Sequence, residues 1–170
     1  MKIKNLSYIS IMLVLEIILT RYLSVETPIS RISLGFIPIC FVAIKYGPKQ
    51  AALIYAISDI LGMMLFPKGL YFPGFTLTSI IVGYIYGIFL YRKPMKDLTI
   101  IIMIMAVGIV HLILNSAWLS LLIRNDLKYY FVIFIHKIPQ FFIMSIIQYF
   151  LIKYFVCRVL VFYNQKHPST

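Results

Sequence analysis

The uncharged stretch LTIIIMIMAVGIVHLILNSAWLSLLI, residues 98–123, decides the fold class of this chain. About 20 consecutive apolar residues in a helix cross the hydrocarbon core of a bilayer. The stretch is longer than that and contains no Asp, Glu, Lys or Arg. A second uncharged stretch, residues 70–91, precedes it, and a third apolar stretch, residues 129–154, follows it. We therefore predict membrane-spanning helices and exclude a water-soluble fold.

Composition and the remaining apolar stretches extend this prediction to the whole chain. Of the 170 residues, 62% are apolar and 12% are charged, with a mean hydropathy of +0.95, whereas globular proteins contain roughly 45–50% apolar and about 25% charged residues. Further apolar runs lie at residues 6–20, 32–44 and 50–66. The sequence thus predicts an all-α integral membrane protein. Its six transmembrane helices form a single domain over residues 1–163, and a short polar cytoplasmic tail follows at residues 164–170.

Proline and glycine refine the predicted helix boundaries. The run at residues 32–44 is short for a full span, which predicts a short helix or one that ends in a broken stretch lined by protein. Gly47 and Pro48 predict a tight turn directly after it. Pro73 and Gly74 are expected to delay the start of the fourth helix.

The basic residues predict the orientation of the chain. Sixteen Lys and Arg against five Asp and Glu give a net charge of +11, which in a membrane protein mainly sets topology and gives no reason to expect a nucleic-acid partner. When the loops alternate between the two sides, ten basic residues fall on one side and six on the other, so we predict that both termini are cytoplasmic. The outer six are interpreted either as solvated loop charges or as a basic mouth for an anionic solute. They are Arg21, Arg31, Lys68, Arg124, Lys128 and Lys137.

Motifs for catalysis, metal binding and nucleotide binding are absent from the sequence. It contains no G-x-S-x-G elbow, no H-E-x-x-H helix and no G-x-x-x-x-G-K-[ST] phosphate loop. Cys40 and Cys157 lie far apart in apolar stretches and are predicted to be buried thiols. We therefore expect neither an enzyme nor a metal or cofactor, and any uphill transport would draw its energy from a partner subunit or an ion gradient.

Polar residues inside the apolar runs are the better indicators of function. An ionisable group in hydrocarbon costs about 2.5–3.5 kcal/mol and normally faces the interior of a helix bundle. Asp59, Asn115, Trp118 and Lys137 all fall in the outer half of the predicted bundle, as do Arg21 and the segment from Phe72 to Thr76. Aromatic walls with a few polar or charged anchors are typical of a small-molecule pocket. Trp118 alone would also suit an interfacial belt.

Small residues recur every four positions in two of the predicted helices. Ser79, Gly83 and Gly87 do so in the fourth, and Ala52 and Ala56 in the third. Such faces allow helices to approach closely. They indicate packing within the chain or, alternatively, docking onto a partner membrane subunit.

Five stretches resemble the substrate-binding S components of energy-coupling factor (ECF) vitamin transporters, in particular the folate-type branch. They are TRYLS at 20–24, RISLGFIP at 31–38, FPGFTL at 72–77, LNSAWL at 114–119 and KIPQ at 137–140. Two of these stretches, F-P-G-F-T-L and L-N-x-x-W-L, are the most specific. The resemblance extends over nearly the whole chain.

This resemblance implies a bacterial plasma-membrane importer subunit that captures folate or a related pterin from outside. Its partners would be a transmembrane coupling subunit and two ATP-hydrolysing subunits, the source of energy that the chain itself lacks. Folate rings would stack on the aromatic residues, its pterin edge would meet Asn115 and Asp59, and its carboxylates would be attracted to cations. The predicted binding residues are Arg21, Arg31, Asp59, Phe72, Gly74, Phe75, Thr76, Asn115, Trp118 and Lys137.

Docking and ligand identity leave alternatives. Family members often carry an alanine-xxx-alanine face on the first helix, where this chain has Ser10 and Val14. These two residues, with Ala52 and Ala56, are the predicted docking positions. Another vitamin, thiamine or riboflavin, is the alternative ligand. A different class of function, an intramembrane enzyme using Glu16, Asp59 and His111, also remains open from sequence.

Overall fold

The computed structural model describes residues 3–26, 31–67, 72–93, 96–123, 127–156 and 158. Predictions that involve Cys157, Lys68, Arg124 and the tail at residues 164–170 lie outside this part of the chain. The described residues form six α-helices and one short β-ribbon. In chain order these elements are α1 (Ile3–Arg21), β1 (Val25–Glu26), β2 (Arg31–Ile32), α2 (Phe36–Tyr46), α3 (Pro48–Leu65), α4 (Pro73–Leu90), α5 (Asp97–Ile123) and α6 (Leu127–Leu151).

The six predicted helices are confirmed, and their boundaries follow the prolines and glycines. The helix α2 has 11 residues, as its short apolar run predicts. Gly47 separates it from α3 with a φ of +86°, a conformation open to glycine, and Pro48 begins α3. The fourth helix begins at Pro73 itself, so Gly74 lies in its first turn and does not delay the start further.

Three stretches of the described chain are long and apolar enough to cross a membrane, by length and composition. They are Pro73–Leu90, Asp97–Ile123 and Leu127–Val156. The third includes a π-helical turn at Ile152–Val156 that continues α6. Helices α1 and α3 have 19 and 18 residues, comparable in length to α4. They contain the charged residues Glu16, Arg21 and Asp59, which lower their apolar content.

These charged residues lie on the inner faces of their helices. Glu16 and Arg21 of α1 are 2% and 4% exposed, whereas Ile11 and Val14 of the same helix are 62% and 53% exposed. In a bilayer the exposed apolar face meets lipid, and ionisable groups are stabilised only inside the bundle. The sequence of α1 therefore positions a carboxylate and a guanidinium within the protein.

Helix α3 packs extensively against α4 through small residues. A Cβ atom added at Gly83 would lie 2.8 Å from the carbonyl oxygen of Ala51 and 2.9 Å from the Cα atom of Ala52. Ala52 and Ala56 are each 8% exposed. The prediction that these two alanines dock a partner is not supported, because both are enclosed by helices of the same chain. Packing within the chain, the alternative for such small-residue faces, accounts for them.

The apolar core fills the end of the bundle at which α2 turns into α3. Ile39, Cys40, Val42, Met103 and Val156 are fully enclosed there, and the buried state predicted for Cys40 is confirmed. The opposite end holds the β-ribbon, in which Val25 pairs with Ile32 and Glu26 with Arg31. The sequence did not predict this ribbon, since strands of two residues carry no periodic pattern. It positions Arg31 and Ser33 beside a cavity in the bundle.

Candidate functional site

A cavity of about 780 Å³ lies among α1, α3, α4, α5 and α6. Its volume falls within the range of roughly 300–1,000 Å³ that is usual for small-molecule sites. Charged, polar and aromatic side chains contribute to its lining. Among them are Glu16, Arg21, Arg31, Tyr55, Ser58, Asp59, Phe72, Phe75, His111, Asn115, Lys137, Gln140, Phe141 and Gln148.

Arg21 and Asp59 form the most connected polar group of the site. The Arg21 Nη2 atom lies 3.8 Å from the Asp59 Oδ1 atom, and its Nη1 atom donates to the Met63 sulfur at 3.2 Å. The Thr76 hydroxyl donates to Asp59 Oδ2 at 2.8 Å. Both oxygens of Asp59 are thus engaged by neighbours from α1 and α4, and this network ties the two helices to α3.

Gly62 allows α3 to approach the Arg21 side chain. A Cβ atom added at Gly62 would lie 2.8 Å from Arg21 Nε and 3.2 Å from Nη2. Those distances are shorter than ordinary van der Waals contact. Glycine is therefore required at this position if the guanidinium is to stay beside Asp59.

Glu16 lies on α1, one helical turn before Thr20. Like Arg21, it lines the cavity. The Thr20 hydroxyl donates to its Oε1 atom at 2.7 Å, whereas the Ser58 hydroxyl of α3 donates to the backbone carbonyl of Tyr55 at 3.0 Å. Among the described residues Glu16 forms no ion pair. One neutral hydroxyl leaves acceptor capacity on the carboxylate, which has about four lone-pair positions.

An aromatic corner closes the cavity beside the start of α4. The Phe72 ring lies 6.3 Å from that of Phe75 and 5.6 Å from that of Trp118, measured between centroids. The indole N–H of Trp118 donates to the Thr78 hydroxyl at 3.0 Å. The Phe72 and Trp118 rings also pack over Gly74, where an added Cβ atom would lie 2.5 Å from each of them.

The wall formed by α5 and α6 carries polar atoms that have no partner in the described part of the chain. Lys137 is 8% exposed and has no hydrogen bond or ion pair within the part of the chain that the structure describes. Asn115 Nδ2 lies 3.0 Å from His111 Nδ1, while Asn115 Oδ1 is buried without a partner among the described residues. Gln140 donates through Nε2 to the backbone carbonyl of Arg31, linking α6 to the β-ribbon.

The structure brings most of the predicted binding residues to one place. Those whose side chains line the cavity are Arg21, Arg31, Asp59, Phe72, Phe75, Asn115 and Lys137. Gly74, Thr76 and Trp118 lie behind the lining and support it through Phe72 and Asp59. Of the predicted basic mouth, Arg21, Arg31 and Lys137 line the cavity, whereas Lys128 lies elsewhere on α6.

Several lining residues were not among the predicted binding residues. Gln140 stands next to Pro139, three positions after Lys137, and Gln148 is a further polar residue deep in α6. Glu16 and His111 belong to the alternative prediction of an intramembrane enzyme. With Asp59 they do line one cavity, but no group of three His, Cys, Asp or Glu residues in the described chain could hold a metal ion. An intramembrane position for each ionisable residue was the available signal.

Comparison with known proteins identifies similar sequences over most of the chain. The family model described as "ECF-type riboflavin transporter, S component" matches residues 1–166. A protein named "Folate transporter FolT" from Clostridium novyi (strain NT) is 44% identical over 135 residues, which are 77% of this chain and 77% of that protein. Its namesake from Leuconostoc mesenteroides subsp. mesenteroides is 32% identical over 118 residues, 67% of this chain and 62% of that protein.

A solved structure has the same fold. The structure described as "Crystal structure of FolT bound with folic acid" superposes with a TM-score of 0.83 and is 32% identical in sequence. The match covers 89% of this chain and 92% of that one. The bundle is therefore an all-α membrane fold of the same kind.

Proposed function

The chain belongs to the family of ECF transporter S components, and we propose from that premise that its own ligand is folate. It is a membrane transport subunit and not an enzyme. The family model carries the name of riboflavin, whereas the two curated relatives and the solved structure carry the name of folate. The choice of ligand therefore rests on those relatives and on the chemistry of the cavity.

The observation that carries this proposal is the Lys137 ammonium on the cavity wall, which has no partner among the described residues. A buried cation without a protein partner is costly, and an anionic ligand removes that cost. Folate carries two carboxylates, whereas thiamine is a cation and riboflavin has no carboxylate. Lys137, helped by Arg31 of the β-ribbon, is the proposed partner of the glutamate end.

The aromatic corner suits the flat rings of folate. Phe72 and Phe75 line the cavity, and Trp118 supports Phe72 from behind. Stacked or edge-on aromatic contacts contribute about 0.5–1.5 kcal/mol beyond burial of apolar area. The free Oδ1 atom of Asn115 is a hydrogen-bond acceptor for a ligand N–H group. Arg21 is already paired with Asp59 and supports the site by holding that carboxylate in place.

Titration of the purified full-length subunit in detergent tests the ligand. Trp118 is the one tryptophan in the sequence, so its fluorescence reports on the aromatic corner. We expect saturable quenching by folate and a matching heat signal in calorimetry. Mass spectrometry of the ligand that co-purifies provides an independent measurement. Tight binding of riboflavin or thiamine, together with no saturable folate binding, would overturn the assignment.

We also propose that the chain delivers its ligand through a transmembrane coupling subunit and two ATP-hydrolysing subunits. The exposed face of α1 offers a docking surface for the first of these, with Leu6 and Val14 56% and 53% exposed and Ser10 exposed between them. Substituting Val14 by Trp should leave folate binding by the isolated subunit unchanged and reduce uptake in cells. Ala56→Trp, in contrast, should destabilise the subunit itself because Ala56 is buried against neighbouring helices.

The proposed setting is the bacterial plasma membrane, with both termini in the cytoplasm. The excess of basic residues on one side supports this orientation. A fluorescent protein fused to the C-terminus should fold and fluoresce, whereas a periplasm-dependent reporter at the same position should stay inactive. The reverse pattern would contradict the orientation without affecting the proposed ligand.

A further inference from the structure

We propose that Glu16 accepts hydrogen bonds from the pyrimidine edge of the ligand and is the residue that makes the site select pterins over flavins. The inference rests on the proposed function, since it assumes that the cavity binds folate. It assigns a recognition role to a buried carboxylate on α1, and it also fixes the direction in which the ligand lies.

Glu16 is a buried acid with remaining hydrogen-bonding capacity. It is 2% exposed, lines the cavity, and accepts a hydrogen bond from the Thr20 hydroxyl at 2.7 Å. Hydroxyls are weaker partners for a carboxylate than cations or paired N–H donors. A carboxylate in hydrocarbon surroundings gains most from a ligand that supplies two N–H groups side by side.

The second acid of the cavity already has a cationic partner and a hydrogen-bond donor. Asp59 Oδ1 faces Arg21 at 3.8 Å, and Asp59 Oδ2 accepts from Thr76 at 2.8 Å. A ligand donor at Asp59 would compete with both contacts. Glu16 has no cation paired to it among the described residues, and it is therefore the acid that a ligand can engage at lower cost.

The pyrimidine edges of the two vitamins differ at one position. A pterin carries a 2-amino group beside N3–H, so it offers two parallel donors that a carboxylate accepts in bidentate fashion. A flavin carries a carbonyl at the corresponding position, so one carboxylate oxygen would face a ligand oxygen. Two oxygen acceptors that face each other cannot form a hydrogen bond, so the flavin is disfavoured. Buried polar sites discriminate well between ligands in this way.

The charges of the cavity then set the orientation of folate. Glu16 lies on α1, and Lys137 lies on α6, with both side chains on the same cavity. The donor-rich pterin edge lies toward α1, and the glutamate carboxylates lie toward Lys137. The reversed ligand would set its carboxylates against Glu16 and its amino group against an ammonium.

Pterin and lumazine provide a direct test, because they differ in having an amino or an oxo group at C2. Calorimetry of the full-length wild-type subunit in detergent should show tighter binding of pterin than of lumazine, by about 10-fold or more. In Glu16→Gln, affinity for pterin and folate should fall by a similar factor while lumazine binding does not fall. The preference for pterin should therefore shrink toward one. Asp97→Asn, which changes an exposed carboxylate outside the cavity, is the matched control and should keep the wild-type preference.

The outcomes separate the two proposals. If the wild type binds folate but binds pterin and lumazine within threefold of each other, the role of Glu16 is wrong and the folate assignment stands. The same conclusion follows if Glu16→Gln keeps the full wild-type preference. If the wild type binds neither folate nor pterin, the proposed function itself fails. The wild-type comparison alone decides the case if Glu16→Gln does not fold.

Discussion

The two walls of the cavity treat buried charge in opposite ways. On the wall formed by α1, α3 and α4, Arg21 lies against Asp59, and Thr76 donates to the same carboxylate. On the wall formed by α5 and α6, Lys137 and the Oδ1 atom of Asn115 have no partner among the described residues. The two cations are similarly enclosed, since Arg21 is 4% and Lys137 8% exposed. Burial is therefore not what distinguishes them.

This difference separates groups that hold the bundle together from groups that await a ligand. A buried ion pair that loses one member leaves an uncompensated charge, so substitutions on the paired wall should act mainly on stability. An unmatched group costs free energy in the empty protein, and that cost is recovered when the ligand binds. Substitutions on the α5 and α6 wall should therefore act mainly on affinity. Stability of the ligand-free subunit and affinity for folate are therefore the two quantities that distinguish the walls.

Lys137→Met should give the largest effect on binding. Removing one member of a desolvated charge pair costs about 2–5 kcal/mol, so we expect folate affinity to fall by about 30-fold or more. Thermal stability of the empty subunit should be unchanged or higher, because an unpaired buried cation is lost. Lys153→Met, a change of an exposed lysine that pairs with Asp97, is the control. Near-normal folate affinity in Lys137→Met would contradict the assignment of the α5 and α6 wall to ligand binding.

Asp59→Ala should show the opposite pattern. Arg21 would lose its carboxylate and Thr76 its acceptor, and leaving such buried groups unmatched costs about 1–3 kcal/mol or more. We expect a clear fall in the apparent unfolding temperature of the ligand-free subunit in detergent, with a smaller proportional loss of affinity in the folded fraction. An unchanged unfolding temperature with abolished binding would show that this wall, too, serves the ligand directly.

Asn115→Ala should weaken binding by a moderate factor. The substitution removes the unpartnered Oδ1 atom as well as the contact with His111. One hydrogen bond to the ligand is worth about 0.5–1.5 kcal/mol, which corresponds to roughly 2–10-fold in affinity. Calorimetric titration with folate measures it. A loss of stability without any loss of affinity would assign Asn115 to the packing of α5 instead.

Trp118→Phe should have the smallest effect. The variant loses the N–H donated to Thr78 but keeps an aromatic ring behind Phe72. Because Trp118 does not line the cavity, we expect folate affinity to change by about threefold or less, within the value of one neutral hydrogen bond. Calorimetry is the suitable measurement, since the variant lacks the fluorescent indole. A loss as large as that in Lys137→Met would require direct stacking of the ligand on Trp118.

The residues that the sequence singled out do not all serve in the expected way. Arg21 was predicted as a cation for the ligand carboxylates, and it lines the cavity but is already engaged by Asp59. Gly74 and Thr76 belong to the motif at 72–77 but do not line the cavity. Gly74 packs against Phe72, and Thr76 donates a hydrogen bond to Asp59. A motif shows which residues lie close along the chain, but it does not show which neighbour from another helix has already used a given side chain.

The four predicted docking positions differ in exposure, which the sequence could not show for the same reason. Ser10 and Val14 are exposed on α1, whereas Ala52 and Ala56 are enclosed beside α4. All four positions satisfy a spacing of four residues, which places each pair on one face of its helix. Spacing cannot state whether that face meets another helix of the same chain or the surroundings.

The sequence by itself determined the membrane class, the six helices, the short second helix and the polar residues worth attention, because these depend on composition and on local backbone preferences. Only the tertiary structure decided that Glu16 and Lys137 face one cavity from different helices. It also decided that Asp59 is paired with Arg21 and that Asn115 Oδ1 has no partner among the described residues. Those distinctions depend on distances of a few ångströms between side chains far apart in sequence. Hydrogen bonds and ion pairs weaken steeply over such distances, so the pairing of buried groups follows from packing and not from pattern.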